Sequence, residues 1–147
     1  MNTVAEIEVS YQPSFVEERI IRSAQDAYDI LLPFFHQETI ALKEQFIVMY
    51  LNKGNRILGV YRLSDGGMTG TVMDIRLVFS IALKIASVGI ILAHNHPSAN
   101  LKPSLQDISL TKQAKEAGSL LNIQVLDHLI VSPIKEEYYS FGEDGIL

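Results

Sequence analysis

The stretch VGIILAHNHPSANLKPSLQD, residues 88 to 107, decides how this chain is read. IILA predicts a short, buried, central strand. Two of the four histidines follow it at once, at 94 and 96. In a strand, residues i and i+2 point to the same side, so His94 and His96 leave the strand end together. Pro97 and Pro103 stiffen the loop beyond them. Ser104 with Asp107 three residues later approximates a capping box, which predicts a helix, SLQDISLTKQAKEAGSLL, ending near Asn122.

This stretch supports two readings. On structural grounds alone, the histidines are polar tips on a buried strand and Ser104 and Asp107 start a helix. The chemical reading keeps the capping box and adds a metal. Zinc takes about four tetrahedral ligands, imidazole nitrogen and carboxylate oxygen both serve, and a catalytic site keeps one place for water. His94, His96 and Asp107 supply three ligands. The chain has no cysteine, so a metal site has to use His and carboxylate groups. There is no HExxH helix motif and no Cys pair of the zinc-deaminase kind, and the chain is too short for a barrel hydrolase, typically about 250 residues.

Outward from this stretch, the pattern is that of one α/β domain with helices packed on a mixed sheet. EQFIVMYL (44 to 51), the turn NKGN and RILGVYRL (56 to 63) predict a hairpin. Ser23 is placed to cap a helix with apolar residues at 24, 27, 28, 31 and 32, which Pro33 stops. SDGGMTG breaks the chain, and Asp74 is placed to cap IRLVFSIALKIAS, with Gly89 near its end. The helix after Ser104 has Leu105, Ile108, Leu110, Ala114, Ala117, Leu120 and Leu121 for a core face. IQVLDHLIVS and EEYYSF predict two more strands, the second an edge. EIEVSY, residues 6 to 11, alternates weakly and suggests a further short edge strand, and residues 12 to 22 carry few signals beyond apolar Phe15, Val16, Ile20 and Ile21.

The 147 residues carry a formal net charge of −5 with no cluster of basic residues, which argues against binding DNA by phosphate neutralisation. The longest apolar run, residues 88 to 93, is far short of the roughly 20 residues a membrane-spanning helix needs. An N-terminus without a secretory or transit pattern, and the lack of cysteine, predict a cytoplasmic protein with no membrane partner.

The pattern His94-Asn95-His96, seven residues, Ser104, two residues, Asp107 resembles the JAMM motif of JAB1/MPN metalloprotease-like domains. ILAHNHPS, KPSLQD and VLDHLIV are similar to the bacterial RadC branch, commonly labelled a DNA repair protein. The resemblance runs from about Glu44 to Phe141. It implies a three-layer, cytidine-deaminase-like α/β fold, with residues 1–43 as an N-terminal extension and first helix and 44–147 as the core of a single domain. It implies one zinc ion on His94, His96 and Asp107, with Ser104 stabilising an oxyanion and an upstream glutamate moving protons. Glu44 occupies that glutamate's place, and Glu38 is the competing candidate. The implied activity is zinc-dependent hydrolysis of a protein or peptide, of the peptidase or isopeptidase type. The alternatives are a DNA-associated factor and an inactive zinc-bearing interaction module. Asp127 and His128 are either groups that hold a ligand from behind or strand residues with local partners, and His36 is an ordinary residue after a helix. Where the family usually reads HNHPSG this chain has Ala99. If that position needs positive φ, alanine is strained there by about 1 kcal/mol, or Asn100 takes over the turn.

Overall fold

The computed structural model describes residues 3–13, 19–66 and 73–147. The chain's most continuously apolar segments form its central strands. β1 (Gln45–Leu51) and β3 (Gly89–Asn95) are buried at every position, as strands covered on both faces must be. β1 pairs antiparallel with β2 (Ile57–Asp65) across the expected turn, where the Asn52 side chain accepts the N–H groups of Gly54 and Arg56. It pairs antiparallel with β3 on its other side. β3 runs parallel to β4 (Gln124–Val131), and the edge strand β5 (Tyr138–Ser140) is antiparallel to β4. The order β2-β1-β3-β4-β5 makes a mixed five-stranded sheet.

Period-two alternation then distributes the apolar side chains between two layers. Ile47, Met49, Ile91 and Ala93 meet α1 (Ala24–Leu31) through Ala27, Tyr28 and Leu31. Phe46, Val48, Tyr50, Ile90 and Leu92 meet α2 (Ile75–Lys84) and α3 (Leu105–Leu120) through Val78, Phe79, Ala82 and Ala114. The result is a single-domain helix, sheet, helix sandwich. A parallel pair needs a crossover connection, and between β3 and β4 that connection is α3. It carries Asp107 back over the end of β3.

The three predicted caps are present: Ser23, Asp74 and Ser104 each accept backbone N–H groups of the first turn. Pro33 ends α1 in a short 3-10 turn, Leu32–Phe34. Three expectations need correction, and the alternative between Ala99 and Asn100 is decided. EIEVSY forms no strand; of this segment, Tyr11 reaches the Leu58 carbonyl through its hydroxyl. The left-handed residue that closes α2 is Ala86, at φ 56, and not Gly89, which opens β3. The loop residue with positive φ is Ala99, at 66, so alanine does carry the strain and Asn100 does not relieve it. The inner face of α3 is built on the small residues Thr111, Ala114 and Gly118, whereas Leu105 and Leu120 are each 87% exposed. Phe15, Val16 and most of SDGGMTG lie outside the described residues.

Candidate metal centre

His94 is the next-to-last residue of β3, and His96 lies just beyond, where its N–H donates to the Val131 carbonyl. Asp107 stands in the first turn of α3. His94 Nε2 is 3.1 Å from His96 Nε2 and 3.3 Å from Asp107 Oδ1, and His96 Nε2 is 3.2 Å from Asp107 Oδ2. Ligands held at about 2.0–2.1 Å around a tetrahedral ion stand about 3.3 Å apart, so the donor spacing fits that ion.

Charge points the same way. His96 Nδ1 lies 2.7 Å from the Asn100 carbonyl, an acceptor only, so Nδ1 carries the proton and a neutral ring presents a bare Nε2. A bare nitrogen and a carboxylate oxygen at 3.2 Å have no hydrogen between them and call for a shared cation, a proton or a metal ion. Burial pulls the pKa of His96 down, but hydrogen bonds to Asp107 and Asn100 and the charges of Asp107 and Glu44 leave it raised. Burial pushes Asp107 up, and the hydrogen bonds its carboxylate would accept from protonated His94 and His96 rings more than offset this, leaving it well below the usual carboxylate range.

Asp107 also completes the capping box. Its Oδ2 accepts the Ser104 N–H at 2.8 Å, and its own N–H donates to Ser104 Oγ at 3.0 Å. The structural and chemical readings of Ser104-x-x-Asp107 therefore hold together, because the cap fixes the carboxylate that faces the histidines.

His128 reaches this group and Asp127 does not. Strict alternation would put Val125 and Leu129 on one face, yet Val125 packs under α3 and Leu129 under α1. The pairing explains this: Ile90 faces Val125 and Ile91 faces Asp127, so Leu126 is an extra residue in β4. This β-bulge turns the rest of the strand over. It brings His128 Nε2 to 2.8 Å from His94 Nδ1, while Thr111 Oγ1 lies 2.6 Å from His128 Nδ1. Phe46 stacks on His94 and Phe141 on His128, covering the inner side of the group, while His96 and Asp107 stay partly exposed. Burial drives the His128 pKa well down, so the ring is neutral near pH 7. The Asp127 carboxylate instead accepts from the His128 N–H, the Gly142 N–H and the Ser140 hydroxyl, tying β5 to β4.

Glu44 immediately precedes β1, whose Phe46 pairs with His94, and its charge is felt at His96. Glu38 is exposed in the turn before it. The entry to β1 is held by Asn95, the residue between the two histidines. This fully buried amide accepts the Gln45 N–H at 2.6 Å and donates to the carbonyls of Ile40 and Lys43, each at 2.8 Å. Sequence reading missed Asn95 and Thr111. The spacing of Asp107, Thr111, Ala114 and Gly118 along one side of α3 was the available signal for Thr111; Asn95 had none. His36 lies exposed beyond α1, its N–H bonded to Gln45 Oε1.

Among the described residues, no helix is long and apolar enough to cross a membrane. The family model for the RadC-like JAB domain matches residues 21–146. A UPF0758 protein of Flavobacterium johnsoniae is 43% identical over 126 residues, which is 86% of this chain and 53% of that protein. UPF0758 proteins of Porphyromonas gingivalis and Methanosarcina mazei are 38% and 37% identical, over 86% and 91% of this chain and 54% and 57% of their own lengths. The chain thus spans about half the length of the curated relatives it matches.

Proposed function

Because the chain belongs to the family of RadC-like JAB domains, we propose that it is a zinc-dependent hydrolase of the metallopeptidase or isopeptidase kind, acting on a protein or peptide in the cytoplasm. The observation that supports this most directly is the grouping of His94, His96 and Asp107, whose ligand atoms all lie within 4.8 Å of one another. Two imidazoles and one carboxylate leave a fourth place for water, the donor set of a catalytic rather than a structural zinc site. A bound zinc ion lowers the pKa of its water towards about 7 and polarises a carbonyl.

The chain's own residues supply the rest. Glu44 takes the proton from the attacking water and returns it to the leaving amine. Ser104 Oγ accepts the Asp107 N–H, so its O–H hydrogen is free to donate to the oxyanion, a contribution worth on the order of 3 kcal/mol elsewhere. The aromatic walls on His94 and His128 keep the dielectric low, which strengthens each of these interactions.

The test is metal content by plasma mass spectrometry, on protein purified without an affinity metal column. About one zinc per natural chain is expected, lost in His96→Ala and Asp107→Ala variants that stay folded. A natural chain that takes up no metal even after zinc is added back overturns the proposal. Glu44→Gln is expected to keep zinc and lose peptide hydrolysis, and undiminished turnover in that variant removes Glu44 from its role.

A further inference from the structure

Thr111 and His128 belong to no part of the hydrolytic chemistry above, yet both are 1% exposed polar residues placed directly behind a ligand. Three short contacts join them to the metal group. Thr111 Oγ1 lies 2.6 Å from the Asp107 carbonyl, Thr111 Oγ1 lies 2.6 Å from His128 Nδ1, and His128 Nε2 lies 2.8 Å from His94 Nδ1. Each contact joins two electronegative atoms and needs one hydrogen.

The hydrogens can be assigned in only one consistent order. A carbonyl oxygen cannot donate, so the single Thr111 hydroxyl hydrogen points at Asp107. The hydrogen between Thr111 and His128 then belongs to His128 Nδ1. The His128 ring is 1% exposed, stacks on Phe141 and points its two nitrogens at Thr111 and His94 with no carboxylate in contact. Such a ring carries one N–H, so its Nε2 accepts, and the hydrogen between the two rings sits on His94 Nδ1. His94 Nε2 is left bare, and this is the atom that lies 3.1 Å from His96 Nε2 and 3.3 Å from Asp107 Oδ1.

We propose that Thr111 and His128 are positioning residues that act through His94: the threonine hydroxyl sets the His128 tautomer, which makes His94 present Nε2 to the metal. The ring of contacts closes on Asp107, so one hydroxyl keys the β3 ligand to the α3 ligand. Groups that hold a metal-bound histidine from behind raise its basicity and fix its orientation, and losing one costs about 10–100-fold in metal affinity. The affinity claim rests on the zinc reading above. The tautomer claim stands apart from it.

The experiment pairs two readouts. Imidazole nitrogen shifts, from long-range proton–nitrogen NMR of the metal-free natural chain, are expected to show the hydrogen on Nδ1 of both His94 and His128. A His94 ring without a hydrogen on Nδ1 overturns the relay, whatever the protein does with metal. Zinc affinity, by competition with a chromophoric chelator, is expected to fall about 10–100-fold in Thr111→Val and to recover in Thr111→Ser, which restores the hydroxyl. Equal affinity in the natural chain and Thr111→Val, or equal loss in Val and Ser, overturns the role of the hydroxyl. Should Thr111→Val not fold, Thr111→Ser and the tautomer spectrum still decide. A natural chain that binds no zinc removes the zinc reading and leaves the spectrum to judge the relay.

Discussion

At the scale of single residues, the loop at the site is set by backbone chemistry. Ala99 at φ 66 carries about 1–2 kcal/mol of left-handed strain. Glycine would relieve it and return about 0.4–1 kcal/mol in unfolded-state entropy. Ala99→Gly is therefore expected to stabilise the protein by about 0.5–1 kcal/mol, read from the midpoint of chemical denaturation at unchanged slope. Asn95 has the opposite character. Replacing it with alanine strands the Gln45 N–H and withdraws a donor from two carbonyls, and buried unsatisfied groups cost about 1–3 kcal/mol each. A loss of at least about 3 kcal/mol is expected for Asn95→Ala, and a loss under about 1 kcal/mol would show that the β1 entry is held by other contacts.

The elements depend on close approach. At Gly118 an added Cβ would stand 2.2 Å from the Ile123 carbonyl oxygen, so α3 meets the start of β4 with no room for a methyl. Alanine gains about 1 kcal/mol of helix propensity there, but forcing backbone apart costs more. Thermal unfolding of Gly118→Ala is expected to report a net loss of about 2 kcal/mol, and an unchanged midpoint would mean that the helix end shifts freely. Ser104 caps the other end of α3, and the proposed mechanism gives its hydroxyl a second, separable duty. Ser104→Ala removes a cap, worth about 1 kcal/mol. Ser104→Asp keeps the capping oxygen and deletes the hydroxyl, so stability is expected to hold in the aspartate variant while any hydrolysis falls.

For the whole molecule, metal and proton compete for the same nitrogens. On the proposed zinc site, zinc at about 100 times its Kd is expected to add about 2.7 kcal/mol, or roughly 5–10 °C in Tm for a chain of this size, and a chelator to remove it. The pH trend has opposite signs with and without metal. Without it, the raised pKa of His96 contributes stability below about pH 6.5 that is lost as pH rises through the folded value. The lowered pKa of Asp107 contributes stability above about pH 3.9 that is lost as pH falls. With zinc, both imidazoles have to be neutral, so the zinc-induced rise in Tm is expected to shrink as pH falls from 7.5 to 5.5. A rise that stays constant over that window would mean that the metal sits elsewhere.

Much of this was legible in the chain itself. Continuous apolar runs in β1 and β3, three capping residues and the NKGN turn specify strands, helices and a hairpin by local rules, and the spacing of His94, His96 and Asp107 specifies a donor set, because ligand type and separation are properties of sequence. What local rules could not decide is which side of a strand faces which layer. A strand's side-chain period is two, so the extra residue Leu126 exchanges the faces of all that follows, and only pairing with β3 shows that it is there. That pairing brings His128 to His94 and leaves Asp127 to anchor β5. Asn95 and Thr111 depended on the fold for the same reason, since a buried polar side chain is defined by partners that lie up to 55 residues away in the chain.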